Sequence, residues 1–230
     1  MFNKFQISLA AVAAALSMSP ALAQSDDDRP FEGVYVGGTI GYAMQGNDIG
    51  SSVLFDRNLD GRFGDSITTV AGANAFSTGF CNGAAVNATA IGGCDNDKDD
   101  IEYSARIGAD THFGNIVVGF VGEFGKAEIS DSVTAFSTTP ANYVFTRELD
   151  YNASVRGRLG YAANTTLFYG TGGVSYGKID NSFRSSNTAN SFTLRDDDDA
   201  FGWVAGGGVE QKLGRNFSIG LEYLLSLIHI

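Results

Sequence analysis

The chain has 230 residues, 30 of them glycine and only 3 proline, and a formal net charge of −11. That acidity excludes the basic footprint of a nucleic-acid binder. No stretch reaches the roughly 18 consecutive apolar residues of a membrane-spanning helix, so any membrane crossing must use strands.

Residues 1–23 read as a secretion signal. Lys4 supplies the positive start, residues 7–18 form an apolar stretch too short for a membrane helix, and Ala21-Leu22-Ala23 is a small-x-small cleavage site. The mature chain is expected to start at Gln24, with residues 24–30 as a short periplasmic segment. The first alternating segment is 34–42, with Val34, Val36, Ile40 and Tyr42 on one face.

A long polar connection, 44–100, follows. Within it, Asp56, Asn58 and Asp60 with Gly61 have the spacing of half a calcium loop: alternate oxygens wrap a hard cation and glycine allows the sharp turn. Ile67 stands where the distal carboxylate of a full loop belongs, and Asp65 is the candidate substitute. The competing reading is a turn rich in Asp, Asn and Gly, with no cofactor. Cys81 and Cys94, the two cysteines of the chain, lie in the same connection. An even count in a secreted chain points to a disulfide between them.

Alternation resumes at 101–110, where Ile101, Tyr103, Ala105, Ile107 and Ala109 face away from Glu102, Arg106 and Asp110. A tight turn at 112–115 leads to 116–125, with Ile116, Val118, Phe120 and Phe124 opposite Glu123. After a second long connection, 128–147, comes the clearest strand, 149–161. There Leu149, Tyr151, Val155, Leu159 and Tyr161 oppose Asn152, Ser154, Arg156 and Arg158. A turn at 162–166 precedes 167–176, whose phase is obscured by glycines. A third long connection, 178–199, leads to 201–210 (Phe201, Trp203, Ala205 and Val209 against Glu210). A turn at 212–216 leads to 217–223 (Phe217, Ile219, Leu221 and Tyr223 against Glu222).

Segments of about 9–11 residues suit a tilted strand crossing a bilayer. Short and long connections alternate strictly, as they do between the periplasmic turns and extracellular loops of outer-membrane barrels. Aromatics fall near both strand ends: Phe31, Phe113, Tyr161 and Phe217 toward the periplasm, and Tyr42, Tyr103, Phe124, Tyr151, Tyr176, Phe201, Trp203 and Tyr223 toward the outside. The expected fold is an all-β, antiparallel, up-and-down transmembrane β-barrel spanning 31–224.

In such a barrel Glu102, Arg106, Asp110, Glu123, Arg156, Arg158, Glu210 and Glu222 share the lumen phase. An eight-stranded interior is just wide enough for side chains, so these charges are expected to pair as a structural network, with a narrow ion path as the alternative. Acidic runs at 26–28, 95–100 and 196–199 read as wet loop charge, or as sites where divalent cations bridge to lipopolysaccharide. His112 sits in a periplasmic turn, and no nucleophile–base–acid arrangement is evident, so no enzyme is expected.

Phe31-Glu32-Gly33-Val34-Tyr35-Val36-Gly37-Gly38 resembles the opening strand of small OmpA-like outer-membrane barrels, the porin-type β-barrel family. Arg156-Gly157-Arg158-Leu159-Gly160-Tyr161 with Tyr169-Gly170-Thr171-Gly172-Gly173-Val174 is similar to that family's fourth and fifth strands. Trp203-Val204-Ala205-Gly206-Gly207-Gly208-Val209-Glu210 with Gly220-Leu221-Glu222-Tyr223 looks like its sixth and seventh. The resemblance implies eight strands, a monomer inserted by the outer-membrane assembly machinery, contact with outer-membrane lipid and lipopolysaccharide, and a role in envelope integrity and surface interactions. A narrow pore for small solutes and a secreted, soluble, lipocalin-like binder are the alternative functions. The resemblance also implies an eighth strand ending in an aromatic. Residues 225–230 read instead as a translated library adaptor, so seven strands and a truncated C-terminus are expected.

Overall fold

Alternating strands of this length bury their backbone groups in hydrocarbon only if every strand edge finds a partner. The computed structural model of the chain describes residues 9–20, 29–44, 52–58, 60–97, 100–192 and 197–229. The expected cleavage site and the acidic run at 26–28 lie outside the described residues. The strands are β1 (Leu9–Pro20), β2 (Gly33–Met44), the short β3 (Phe80–Asn82), β4 (Ala84–Ala85) and β5 (Cys94–Asp95), then β6 (Asp100–Phe113), β7 (Ile116–Ser137), β8 (Ala141–Ala163), β9 (Thr166–Ser185), β10 (Asp197–Lys212) and β11 (Phe217–His229). Eight of them pair antiparallel in the order β7-β6-β2-β1-β11-β10-β9-β8, and β8 returns to β7, closing the ring.

The seven long strands expected between residues 31 and 224 are all present, as β2 and β6 to β11. The eighth position is taken by β1, from the segment that reads as a secretion signal, lying between β2 and β11. Unpaired groups on those two edges would cost several kcal/mol each in lipid. The segment is apolar, and Pro20 stands at its very end, where a missing donor is tolerated. It also has a usable period of two: Ala11, Ala13, Ala15, Ser17 and Ser19 stand in register with Ser226, Leu224, Glu222, Gly220 and Ser218. The sequence thus sets small residues at the positions in register with the buried Glu222 and Ser218. Residues 225–229 continue β11 and pair with β10.

At the periplasmic end the turns are tight. Gly114 and Asn164 adopt positive φ, 65° and 54°, between β6 and β7 and between β8 and β9. At the other end the expected loop at 128–147 is mostly strand, and the one at 178–199 begins and ends as strand. β7, β8 and β9 run 22, 23 and 20 residues, about twice the bilayer requirement. The extra length forms a three-stranded extension in which β8 pairs with β7 and β9. Its sequence kept alternating with Val, Thr, Phe and Tyr, residues that suit strands, beyond the length a membrane strand needs.

Two register shifts mark the junction, one after Lys126 in β7 and one between Leu149 and Tyr151 in β8. The second changes the phase of β8. Leu149, expected to face lipid, is buried with Ala43, Ala127, Ile129, Ile179 and Ala200 as an apolar cap over the lumen. Phe31, expected in the periplasmic belt, is likewise buried. With Val117, Ala162, Leu167 and Tyr169 it forms an apolar base. The ambiguous phase of 167–176 is resolved: Leu167, Tyr169, Thr171 and Ser175 are buried, while Phe168 and Val174 are exposed with Gly170 and Gly172.

Candidate functional site: the barrel lumen and its extracellular cover

Between cap and base the lumen is filled by charge. Arg106 of β6 lies 2.9 Å from Glu222 of β11 and 3.2 Å from Glu123 of β7. Arg156 of β8 lies 2.8 Å from Glu123 and 3.2 Å from Glu222. The four side chains form a closed ring of alternating sign that joins facing walls. A second cluster lies toward the periplasm. Arg158 meets Asp110 at 3.0 Å, pairs with Glu210 and reaches the Tyr35 hydroxyl at 3.2 Å. Its guanidinium also stands 4.1 Å over the Tyr169 ring, a favourable cation–π position. Ser218 donates to Glu210 at 2.6 Å. Glu102 stands apart from both clusters and accepts a hydrogen bond from Asn152 at 2.8 Å. All eight lumen-phase charges thus lie in this interior.

Sequence pattern alone missed Tyr35, Tyr169, Ser218 and Asn152. Glycines hid the phase of Tyr169, and the neutral side chains of Tyr35, Ser218 and Asn152 carry no sign to suggest a partner. Close packing explains Gly119: a Cβ there would come within 1.9 Å of an Asp110 carboxylate oxygen. His112 is structural. Its Nε2 accepts the Phe31 backbone N–H at 3.3 Å, and its Nδ1 lies 3.2 Å from the Gly114 carbonyl, a pattern that one tautomer satisfies.

The outer wall has the opposite character. Val155, Leu159, Phe201 and Trp203 are each more than 60% exposed. An apolar exterior around a charged, filled interior is the arrangement a bilayer selects. It sets aside the soluble lipocalin-like reading, which needs an apolar cavity inside.

Above the membrane, the long connection folds onto the strand extension. β3 pairs with residues 133–135 of β7. The Thr134 hydroxyl accepts from Ala85 N–H at 3.0 Å and donates to the Gly83 carbonyl at 2.8 Å. Cys81 and Cys94 are bonded and pack with Ala84 against Ala85, Phe136 and Val144. Aromatic contacts run from Phe55 to Phe76, Tyr143, Phe192, Phe183 and Phe145. In the segment with calcium-loop spacing, Asp56 accepts the N–H groups of Asp60 and Gly61, and Asp65 accepts those of Arg57 and Asn58. Asn58 accepts from Asp60 N–H at 3.1 Å. Among the described residues, no group of three or more His, Cys, Asp or Glu side chains converges as a metal cage.

Comparison with known proteins agrees with this architecture. The model of the outer membrane protein beta-barrel domain matches residues 8–230. The chain is 31% identical over 110 residues to the 31 kDa outer-membrane immunogenic proteins of Brucella melitensis and Brucella suis, a match covering 47% of this chain and 45% of each relative. It is 37% identical over 73 residues to the 22 kDa outer membrane protein of Rhizobium leguminosarum bv. viciae, covering 32% of this chain and 31% of that one. The chain therefore spans less than half the length of the relatives it matches. No solved structure matches it. With its filled, charge-paired lumen and apolar outer wall, the chain belongs to the outer membrane protein beta-barrel domain family and is an outer-membrane protein.

Proposed function

We propose that the barrel is a closed structural anchor that supports the envelope and holds an extracellular platform for surface interactions. The observation that carries this reading is Arg156. Its side chain is fully buried and tied to Glu123 and Glu222, from two parts of the wall. An ion crossing the lumen would have to break that ring and pass both apolar plugs, and buried pairs of this kind cost several kcal/mol to disrupt. The extension of β7–β9, with its disulfide-bonded cover, supports the second half of the reading, because surface loops held by a rigid scaffold are where binding residues concentrate. Insertion as a monomer by the outer-membrane assembly machinery belongs to the same reading.

Proteoliposomes carrying the refolded chain test it. They are expected to admit small sugars no faster than protein-free vesicles. Swelling that scales with solute size would favour the narrow pore.

A further inference from the structure

The chain enters β2 through a hook. Residues 29–32 form a turn: the Glu32 N–H donates to the Arg29 carbonyl at 3.2 Å, and the two side chains pair at 3.1 Å. Gly33, at φ 115°, then turns the chain into β2, a conformation glycine adopts without steric cost. Phe31 is thereby set into the apolar base of the lumen, against Val117, Ala162, Leu167 and Tyr169. Its backbone is tied to the barrel wall by a polar contact: the Phe31 N–H donates to His112 Nε2 at 3.3 Å. The two rings are stacked, 6.5 Å between centres, and both residues are buried. The other ring nitrogen, Nδ1, faces the Gly114 carbonyl at 3.2 Å. A carbonyl only accepts, so Nδ1 carries the proton and Nε2 presents its lone pair to Phe31.

We propose that His112 is a proton-operated latch on this hook. The neutral imidazole has one acceptor, and Phe31 uses it. The imidazolium has none, because both nitrogens then donate. A proton on Nε2 would face the Phe31 N–H, donor against donor, and a buried N–H without an acceptor is costly. Protonation of the ring and attachment of the hook therefore compete for the same atom. Histidine is the side chain whose ordinary charge change falls between about pH 5 and 8. The attached state needs the neutral ring, so attachment is complete on the alkaline side and weakens as pH falls. The charges around the hook are already engaged. Asp110, the next inward residue of β6, meets Arg158 of β8 at 3.0 Å, and Glu210 of β10 pairs with the same guanidinium. Lys212 of β10 stands 5.7 Å from the Phe31 ring centre, and Arg29 and Glu32 answer each other. β7 meets the hook with Val117, β8 with Ala162, and β9 with Leu167 and Tyr169. His229, the second of the chain's two histidines, ends β11 at the far end of the barrel. Release of the hook leaves the ring of Arg106, Glu123, Arg156 and Glu222 in place. Acid thus loosens the periplasmic mouth while the lumen stays closed, a regulation that goes beyond the anchor reading.

The test uses the whole chain refolded in detergent micelles. Amide hydrogen exchange at Phe31, corrected for the intrinsic pH dependence of exchange, is read by nuclear magnetic resonance across the range in which histidine titrates. Wild-type protection is expected to be level on the alkaline side and then to fall toward about tenfold per pH unit, the slope of one competing proton. His112→Gln offers a side-chain carbonyl that accepts at every pH, and its protection should be level throughout. His112→Phe keeps an aromatic ring beside Phe31 but accepts nothing, and should be weakly protected at every pH. The Ala162 N–H, which donates to the Asn115 carbonyl at 2.7 Å at the same end of the barrel, is the internal control and should not follow pH. Heat-modifiable gel mobility shows that each variant is folded. Level wild-type protection, or a slope shared equally by Ala162, would overturn the proposal. So would a slope that persists in His112→Gln, which would assign the pH response to Asp110 or Glu210 instead.

Discussion

Arg156 and Glu222 lie 3.2 Å apart across the lumen, on strands β8 and β11, and both are almost completely shielded from solvent. Neither charge has water to fall back on, so each depends on the other and on the shared partners Arg106 and Glu123.

Glu222→Ala leaves two guanidiniums short of a partner. Breaking a buried pair from one side costs about 3–5 kcal/mol, and the urea midpoint for unfolding from detergent should fall accordingly. Arg29→Ala, at the exposed pair with Glu32, should cost no more than about 1 kcal/mol. Equal effects of the two substitutions would show that the ring is not a source of stability.

Trp203 is the single tryptophan of the chain and is 65% exposed on the outer wall. Lipids brominated along their acyl chains should quench its fluorescence strongly in the refolded barrel. Val155→Arg on the same face should cost about 2–4 kcal/mol if it lies near the bilayer midplane. A tryptophan indifferent to bromine would reverse the assignment of inside and outside.

Much of this was legible because the side-chain period of a strand is two. Arg156 and Arg158 could be placed inside from their alternation with Val155, Gly157 and Leu159 alone. Leu149 could not. It alternates correctly with Tyr151 on paper, but the register shift at Asp150 turns it inward, and a bulge leaves no reliable mark in composition. The pairing within the lumen was equally hidden. Sequence gives the phase of Arg106 and Glu222 but not their heights, which depend on the stagger between strands. Residues 9–20 carry two patterns, an apolar signal core and an alternation of small residues, and the continuous apolar run masks the second.

Loss of the Cys81–Cys94 bond, which joins residues 13 apart in sequence, should remove roughly 3 kcal/mol of local constraint. In the double variant C81S/C94S, protease should cut within residues 79–97 while the barrel keeps its heat-modifiable mobility. Collapse of the barrel itself would mean that the cover and the membrane strands fold as one unit.

The place of β1 makes a separate prediction. The whole chain refolded in detergent should give a protease-resistant barrel, because residues 9–20 pair both neighbouring edges. A chain starting at Gln24 and ending at the same residue leaves β2 and β11 without that partner and should aggregate through them. Adding a synthetic peptide of residues 9–20 should rescue part of the yield. Identical folding of the two chains would show that the ring closes by another route.

Single-channel recording across a planar bilayer tests the central claim most directly. The wild-type barrel, inserted and verified by its gel mobility, is expected to show no discrete conductance steps over a wide voltage range. Removing the ring's acids in E123G/E222G should introduce steps, since those two side chains join the arginines across the lumen. Regular ion-conducting steps from the wild-type barrel would contradict the account and make the lumen a pore.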